Sequence, residues 1–167
     1  MHSPDPAQEE SRARLLALIE RIPIFSGLSG EDRTSILRLC TKITLDKGGI
    51  LCNQGDASDA MFILLVGKLA VRIANSATIA SIVPVTSIGE MGVFTGEPRT
   101  ATVEAMEKSA LLRLGSVDLN ALIESRPALG VSVMRKVIRT LSERVSADNI
   151  RIREFQNYLI ERESGGS

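Results

Sequence analysis

The feature that most constrains this chain is a succession of short β-branched segments after Cys40, punctuated by glycine and aspartate. Runs rich in Ile, Val, Leu and Thr occur at Thr41–Leu45, Ile50–Asn53, Met61–Val66, Lys68–Ile73, Thr78–Val83, Thr102–Ala105 and Ala110–Leu114, and each reads as a strand. The alternation is clearest where Leu69, Val71 and Ile73 interleave with Lys68, Ala70 and Arg72. Gly48-Gly49, Gln54-Gly55-Asp56 and Gly67 supply turns, where glycine tolerates angles that other residues resist. Many short strands with tight turns predict an α+β fold built on a small antiparallel β-roll, a jelly-roll-like barrel.

Helical segments flank the strands. Met1–Glu10 reads as a frayed tail, and Leu15, Leu16, Leu18 and Ile19 place a short helix over Ser11–Arg21, ended by Pro23. Ser29 with Asp32 three residues on resembles a capping box, for a helix that turns Ile36, Leu37 and Cys40 inward. A helix over Val117–Ser125 is expected to be capped by Ser116, and a far longer one starts near Pro127, where the missing N–H costs nothing. Along it Val131, Met134, Ile138, Leu141, Val145, Asp148, Ile152, Phe155 and Leu159 fall at steps of three and four, a heptad spacing sustained over about four repeats. The helix either packs on its own roll or forms a seam with a second copy. The expected divisions are a tail and helix over 1–20, the roll over 21–126, a lid or dimerisation helix over 127–162 and a flexible tail over 163–167.

Composition narrows the function classes. Lys plus Arg and Asp plus Glu number 20 each, so no net charge favours nucleic acid or a membrane surface. The longest apolar run, Ala60–Val66, is too short to span a bilayer, and Met-His-Ser-Pro-Asp-Pro lacks the basic start and apolar core of a signal peptide. A cytoplasmic protein is expected. Cys40 and Cys52 stand apart without a CxxC, as buried small hydrophobes, and the single His2 leaves no basis for a zinc site or a histidine triad.

Between Ile88 and Val103 the character changes again: Ile-Gly-Glu-Met-Gly-Val-Phe-Thr-Gly-Glu-Pro-Arg-Thr-Ala-Thr-Val. Gly89 and Gly92 bracket Glu90 and Met91 where an extended strand must turn, and Val93–Thr95 has room for one helical turn. A glycine-led turn into a helix start aims backbone N–H groups at one spot, which suits a phosphate oxygen. Gly96–Pro98 then brings Arg99 back toward them, offering a guanidinium fork that lysine matches poorly. Thr100 adds a hydroxyl, Ala101 allows close approach, and Glu90 is an acceptor suited to a sugar hydroxyl. Taken singly, Glu90 could be a surface carboxylate and Arg99 could close a salt bridge with Glu97 or Glu90.

This segment resembles the phosphate-binding cassette of the cyclic nucleotide-binding domain family. That family includes protein kinase A regulatory subunits, cyclic-nucleotide-gated channels and the bacterial catabolite activator protein. The pattern Phe-Gly-Glu-Leu/Met-Ala/Gly, short helix, Gly-x-Pro-Arg-Ala/Ser/Thr-Ala-Thr-Val is met nearly throughout, with Ile88 in place of the aromatic. Pro23-Ile-Phe-Ser-Gly-Leu resembles the entry motif, Gly49, Gly55-Asp56 and Gly67 fall at its turn glycines, and the last helix matches its C helix. Pro84-Val85-Thr86 departs from the usual Pro-Gly-Asp, and only a few polar residues follow Leu159 where the activator relatives continue into a DNA-reading motif. The resemblance implies that Glu90 binds the ribose 2′-hydroxyl and Arg99 the cyclic phosphate. The backbones of Gly89, Met91 and Ala101, with Gly92 and Thr100, would complete the cradle. Val71, Ile82 and Ile88 would be apolar walls, and Arg144, in the turn Leu141–Val145, the polar contact from the lid.

The expectation is a stand-alone cyclic nucleotide receptor for cyclic AMP, with cyclic GMP second since the Thr100 hydroxyl resembles a guanine contact. It would signal through movement of the C-terminal helix to an effector protein, as a homodimer through that helix, without nucleic acid, membrane, metal or cofactor. The alternative is a dimerisation or interaction module that keeps the fold without nucleotide. No enzymatic activity is expected, because no histidine, thiol dyad or carboxylate pair is placed for chemistry on a cyclic phosphate.

Overall fold

A strand that is apolar throughout is suited to bury both faces, and Ala60–Val66 does so over Ala60–Leu64. The computed structural model describes residues 6–73 and 78–164. Among the described residues the strands are β1 (Cys40–Leu45), β2 (Ile50–Cys52), β3 (Ala60–Val66), β4 (Leu69–Arg72), β5 (Ala80–Ile82), β6 (Thr86–Ile88), β7 (Thr102–Ala105) and β8 (Ser109–Gly115). They form two antiparallel four-stranded sheets, ordered β1-β8-β3-β6 and β2-β7-β4-β5. This is the expected β-roll. Ala60, Phe62 and Leu64 of β3 join Leu69, Val103 and Leu111 in one apolar cluster, while Met61 and Ile63 join Leu112 and Leu114 in a second. The second cluster is completed by helices, so this sheet is covered on both sides.

Those helices are α1 (Pro6–Glu20), α2 (Gly30–Leu39), α3 (Glu90–Thr95), α4 (Ser116–Ser125) and α5 (Pro127–Ser164), with a 3₁₀ turn at Pro23–Phe25. Helix α1 begins at Pro6, so the reading of a frayed tail to Glu10 is corrected for residues 6–10. Proline suits a first turn, and Arg14 pairs with Glu10 one turn back at 2.6 Å. Residues 1–5 and 165–167 lie outside the described residues. Ser29 caps α2 as expected, its hydroxyl accepting from the Asp32 N–H at 3.0 Å. Ser116 does not cap α4. Gly115 takes that position with extended angles, and Ser116 is the first helical residue.

Strand β6 is an element the pattern reading passed over, because Thr86 and Ser87 carry no apolar alternation. Its pairing with β3, Ile88 opposite Phe62 and Thr86 opposite Leu64, fixes where the following glycine turn begins. Helix α3 starts at Glu90 rather than Val93, because Gly89 adopts φ 76° and starts the helix directly.

Helix α5 packs on its own domain through Leu129, Val133 and Val137 at four-residue steps, with Leu141 half-buried beyond them. It lies against the 3₁₀ turn and α4. Apart from Leu141, the heptad positions form a different stripe. Val131, Met134, Val145 and Ile152 are exposed, with Ile138 66 % and Phe155 61 % exposed, and the Leu159 side chain lies outside the described residues. At the junction, Arg126 pairs with Asp32 at 3.0 Å and Glu31 at 2.9 Å, tying the start of α5 to the first turn of α2.

Candidate functional site

Cassette, roll and long helix meet around one cavity of about 480 Å3, within the ordinary range of about 300–1,000 Å3 for small-molecule sites. Each candidate named from the sequence lines it: Gly89, Glu90, Met91, Gly92, Arg99, Thr100 and Ala101 from the cassette, Val71, Ile82 and Ile88 from the strands, and Arg144 from α5. The apolar wall comes from both sheets, since β4 and β5 bring Val71 and Ile82 opposite the end of β6.

Local backbone geometry sets the cassette. Gly89 leads into α3 and Gly96, at φ 74°, ends it, its N–H bonding the Gly92 carbonyl at 2.9 Å. The chain then returns toward the roll, where the turn around Gly55 clamps the backbone of Arg99. Gly55 N–H donates to the Arg99 carbonyl and Arg99 N–H to the Asp56 carbonyl, both at 2.8 Å. A turn glycine in one loop thus positions the cation of another.

The Arg99 guanidinium is turned inward and only 7 % exposed. Its Nη1 donates to the Gly89 carbonyl at 3.3 Å and its Nη2 to the Ala60 carbonyl, and the group stacks 5.5 Å from the Phe62 ring centroid. Its Nε is buried without a hydrogen-bond partner. Glu90 is 2 % exposed, and its cation is Arg144, whose Nη1 lies 2.7 Å from Oε1, rather than Arg99. The approach is an ion pair by distance, but its angle leaves neither Glu90 oxygen with a hydrogen bond. The Glu90 carboxylate and the Arg99 Nε are both buried without hydrogen bonds, and both side chains belong to residues lining one cavity, the kind of polar group for which a buried site ordinarily supplies a partner.

Sequence reasoning did not single out other wall residues, among them Ser58, Thr86 and Ser87. The Ser58 hydroxyl is buried without a partner against Gly92. Its direction is set by a loop, which periodicity does not describe. Cys52, read as a small hydrophobe, is buried and also lines the cavity. Burial pushes its thiol pKa up, opposed by the nearby Arg99 charge and a backbone hydrogen bond from Val103. Among the described residues no three metal-ligating side chains stand together, and no helix is long and apolar enough to cross a membrane.

The arrangement can be compared with known proteins. The family profile of the cyclic nucleotide-binding domain matches residues 42–126, from within β1 to the end of α4. The chain is 32 % identical over 119 residues to the cyclic nucleotide-gated potassium channel mll3241 of Mesorhizobium japonicum, covering 71 % of this chain and 32 % of the channel. It thus spans about a third of that relative's length. Among solved structures, a cyclic nucleotide-binding domain from Methylobacillus flagellatus superposes with a TM-score of 0.74 at 24 % identity, covering 86 % of this chain and 83 % of that one. The regulatory domain of Toxoplasma gondii PKA, crystallised with cAMP, gives 0.63 at 21 % identity, over 73 % of this chain and 47 % of that one. These two likenesses bear on the fold. With the profile spanning the strands, the cassette and α4, this chain belongs to the cyclic nucleotide-binding domain family.

Proposed function

We propose that this chain is a sensor module that binds cyclic AMP, with cyclic GMP as the second ligand, and signals through movement of α5. The observation that carries this reading is the cavity itself. One wall presents Arg99 and the backbones of Gly89, Met91 and Ala101, and the carboxylate of Glu90 stands beside them. The opposite walls are apolar. A cyclic phosphate would take the guanidinium fork and the N–H groups, a ribose 2′-hydroxyl would donate to Glu90, and the base would lie against Val71 and Ile82. Thr100 is the hydroxyl through which cyclic GMP would compete.

Arg99 now holds two carbonyls, so binding exchanges internal acceptors for phosphate oxygens. The differential affinity of the ligand for the two arrangements sets how far the equilibrium moves. We read the module as one that senses its ligand without turning it over. The test is calorimetry with cyclic AMP and cyclic GMP. Binding of either at micromolar ligand supports the reading, and no heat with either at high micromolar ligand removes it.

A second reading, a dimerisation module that uses no nucleotide, is favoured by one observation: the outward apolar stripe of α5 through Ile138, Val145, Ile152 and Phe155. The two readings are compatible if a second copy covers that stripe. Sedimentation with and without ligand checks it. A dimer that Ile138→Glu dissociates is the expected result, and a monomer at every concentration removes the seam.

A further inference from the structure

Resting on the cyclic nucleotide reading of the cavity, we infer that Phe62 is the positioning residue for Arg99, its ring holding the guanidinium in the pose that meets a phosphate. A buried cation ordinarily has a carboxylate beside it, and Arg99, 7 % exposed, forms no ion pair among the described residues. The acids next to the two carbonyls that Arg99 bonds are paired elsewhere. Asp59, beside Ala60, holds Arg113, and Glu90, beside Gly89, holds Arg144, both at 2.7 Å. What stands against the cation is the Phe62 ring, its centroid 5.5 Å from the guanidinium carbon, inside the range of about 6 Å for a cation–π contact.

The chain places that ring with little freedom. Ala60 and Phe62 are two apart on β3, so they share a face of the strand, and both belong to one apolar cluster. One strand therefore supplies the carbonyl that Nη2 bonds and the ring that the guanidinium lies over. Phe62 sits opposite Ile88 of β6 on one side and Arg113 of β8 on the other, and it is buried. A ring fixed between two paired strands is a firmer support than a side chain on a loop. Because Ile88 precedes Gly89, the same pairing ties the ring to the start of the cradle.

The holds on Arg99 differ in what binding asks of them. The carbonyls of Gly89 and Ala60 compete with a phosphate for the same N–H donors. The ring attracts the cation through its charge and occupies no hydrogen-bond acceptor. It can go on holding the guanidinium while the donors change acceptors. Without the ring the arginine spends less time in the competent pose, and apparent affinity falls by that fraction.

The experiment titrates cyclic AMP calorimetrically into the full chain as wild type, Phe62→Met and Phe62→Tyr. The side-chain Nε–H signal of Arg99 is recorded on the same proteins before ligand is added. Met keeps an apolar side chain without a ring face, and Tyr keeps the face; Phe62→Leu takes the place of Phe62→Met if the latter lacks a cooperative urea transition. Phe62→Met is expected to bind about tenfold more weakly than wild type, and Phe62→Tyr within about threefold of it. In the ligand-free protein the Arg99 signal moves downfield when Met replaces the ring and returns with Tyr, a ring-current signature that lost packing alone does not produce.

If wild type binds and Phe62→Met binds equally well, or the Arg99 signal stays fixed across the series, the positioning role is overturned while the cavity reading stands. If Met and Tyr weaken binding alike, Phe62 is a packing residue and the inference is overturned too. If wild type does not bind, the cavity reading falls and the role of Phe62 falls with it.

Discussion

A Cβ placed on Gly89 would stand 1.8 Å from Nη1 of Arg99. The inward fold of the guanidinium thus uses the space that a side chain at 89 would take, and it requires glycine at the left-handed turn that starts α3. Gly89→Ala meets both a positive-φ penalty and a collision with a buried cation, about 2–4 kcal/mol together. Gly96→Ala is the control, since its φ is equally left-handed but nothing lies within 4 Å of the added carbon. Chemical denaturation is expected to show the smaller loss there, about 1 kcal/mol. Equal losses at the two positions would deny the Arg99 contact.

Gly92 faces Ser58 in the same way. An added Cβ would meet the Ser58 Oγ at 2.1 Å and the Glu97 carbonyl oxygen at 2.8 Å. Gly92→Ala is therefore expected to destabilise by about 1–3 kcal/mol, the usual range for overpacking. Ser58→Gly should recover part of that loss and no more, because the Glu97 carbonyl remains. A double-mutant cycle measured by denaturation reads the coupling directly, and strict additivity would contradict it.

How much of this was legible beforehand differs from element to element. The runs that became β1, β3, β4 and β7 were visible because they are rich in β-branched and aliphatic residues, with a turn glycine close by after β1 and β3 and before β4. Strand β6 was not, since Thr86 and Ser87 owe their strand to pairing with β3 rather than to their own pattern. The cassette residues were readable as a motif, and the structure gathers them with Val71, Ile82 and Arg144 around one cavity. What they hold was not readable. Arg99 bonds the carbonyl of Ala60, 39 residues away, and Glu90 takes its cation from the far helix. Long-range pairs of this kind depend on the pose of whole elements. The heptad of α5 was likewise real as a pattern, yet of its positions only Leu141 joins the inward stripe, which is otherwise Leu129, Val133 and Val137.

Cys40 gives the fold a dependence on alkaline pH. Burial pushes its thiol from 9.0 up to about 12, and its Sγ lies 3.3 Å from the Ile36 carbonyl oxygen. A raised thiol pKa favours the neutral form in the folded state. Its contribution to stability is therefore whole below pH 9.0 and lost as pH climbs toward about 12. Urea midpoints measured between those limits should fall more steeply in wild type than in Cys40→Ala. Parallel curves would show that Cys40 is not the titrating group.

The most direct test of the central claim observes Arg99 itself while ligand is added. Its Nε is buried without a partner, and the rest of its guanidinium is held by the protein. The measurement is the ¹H–¹⁵N side-chain Nε signal of Arg99, assigned by its absence in Arg99→Lys, through a titration with cyclic AMP. A cyclic phosphate in the cradle must redistribute those hydrogen bonds, so a saturable downfield shift that adenosine fails to produce is the predicted result. A signal that stays fixed while cyclic AMP saturates the protein would place the nucleotide elsewhere and contradict the account.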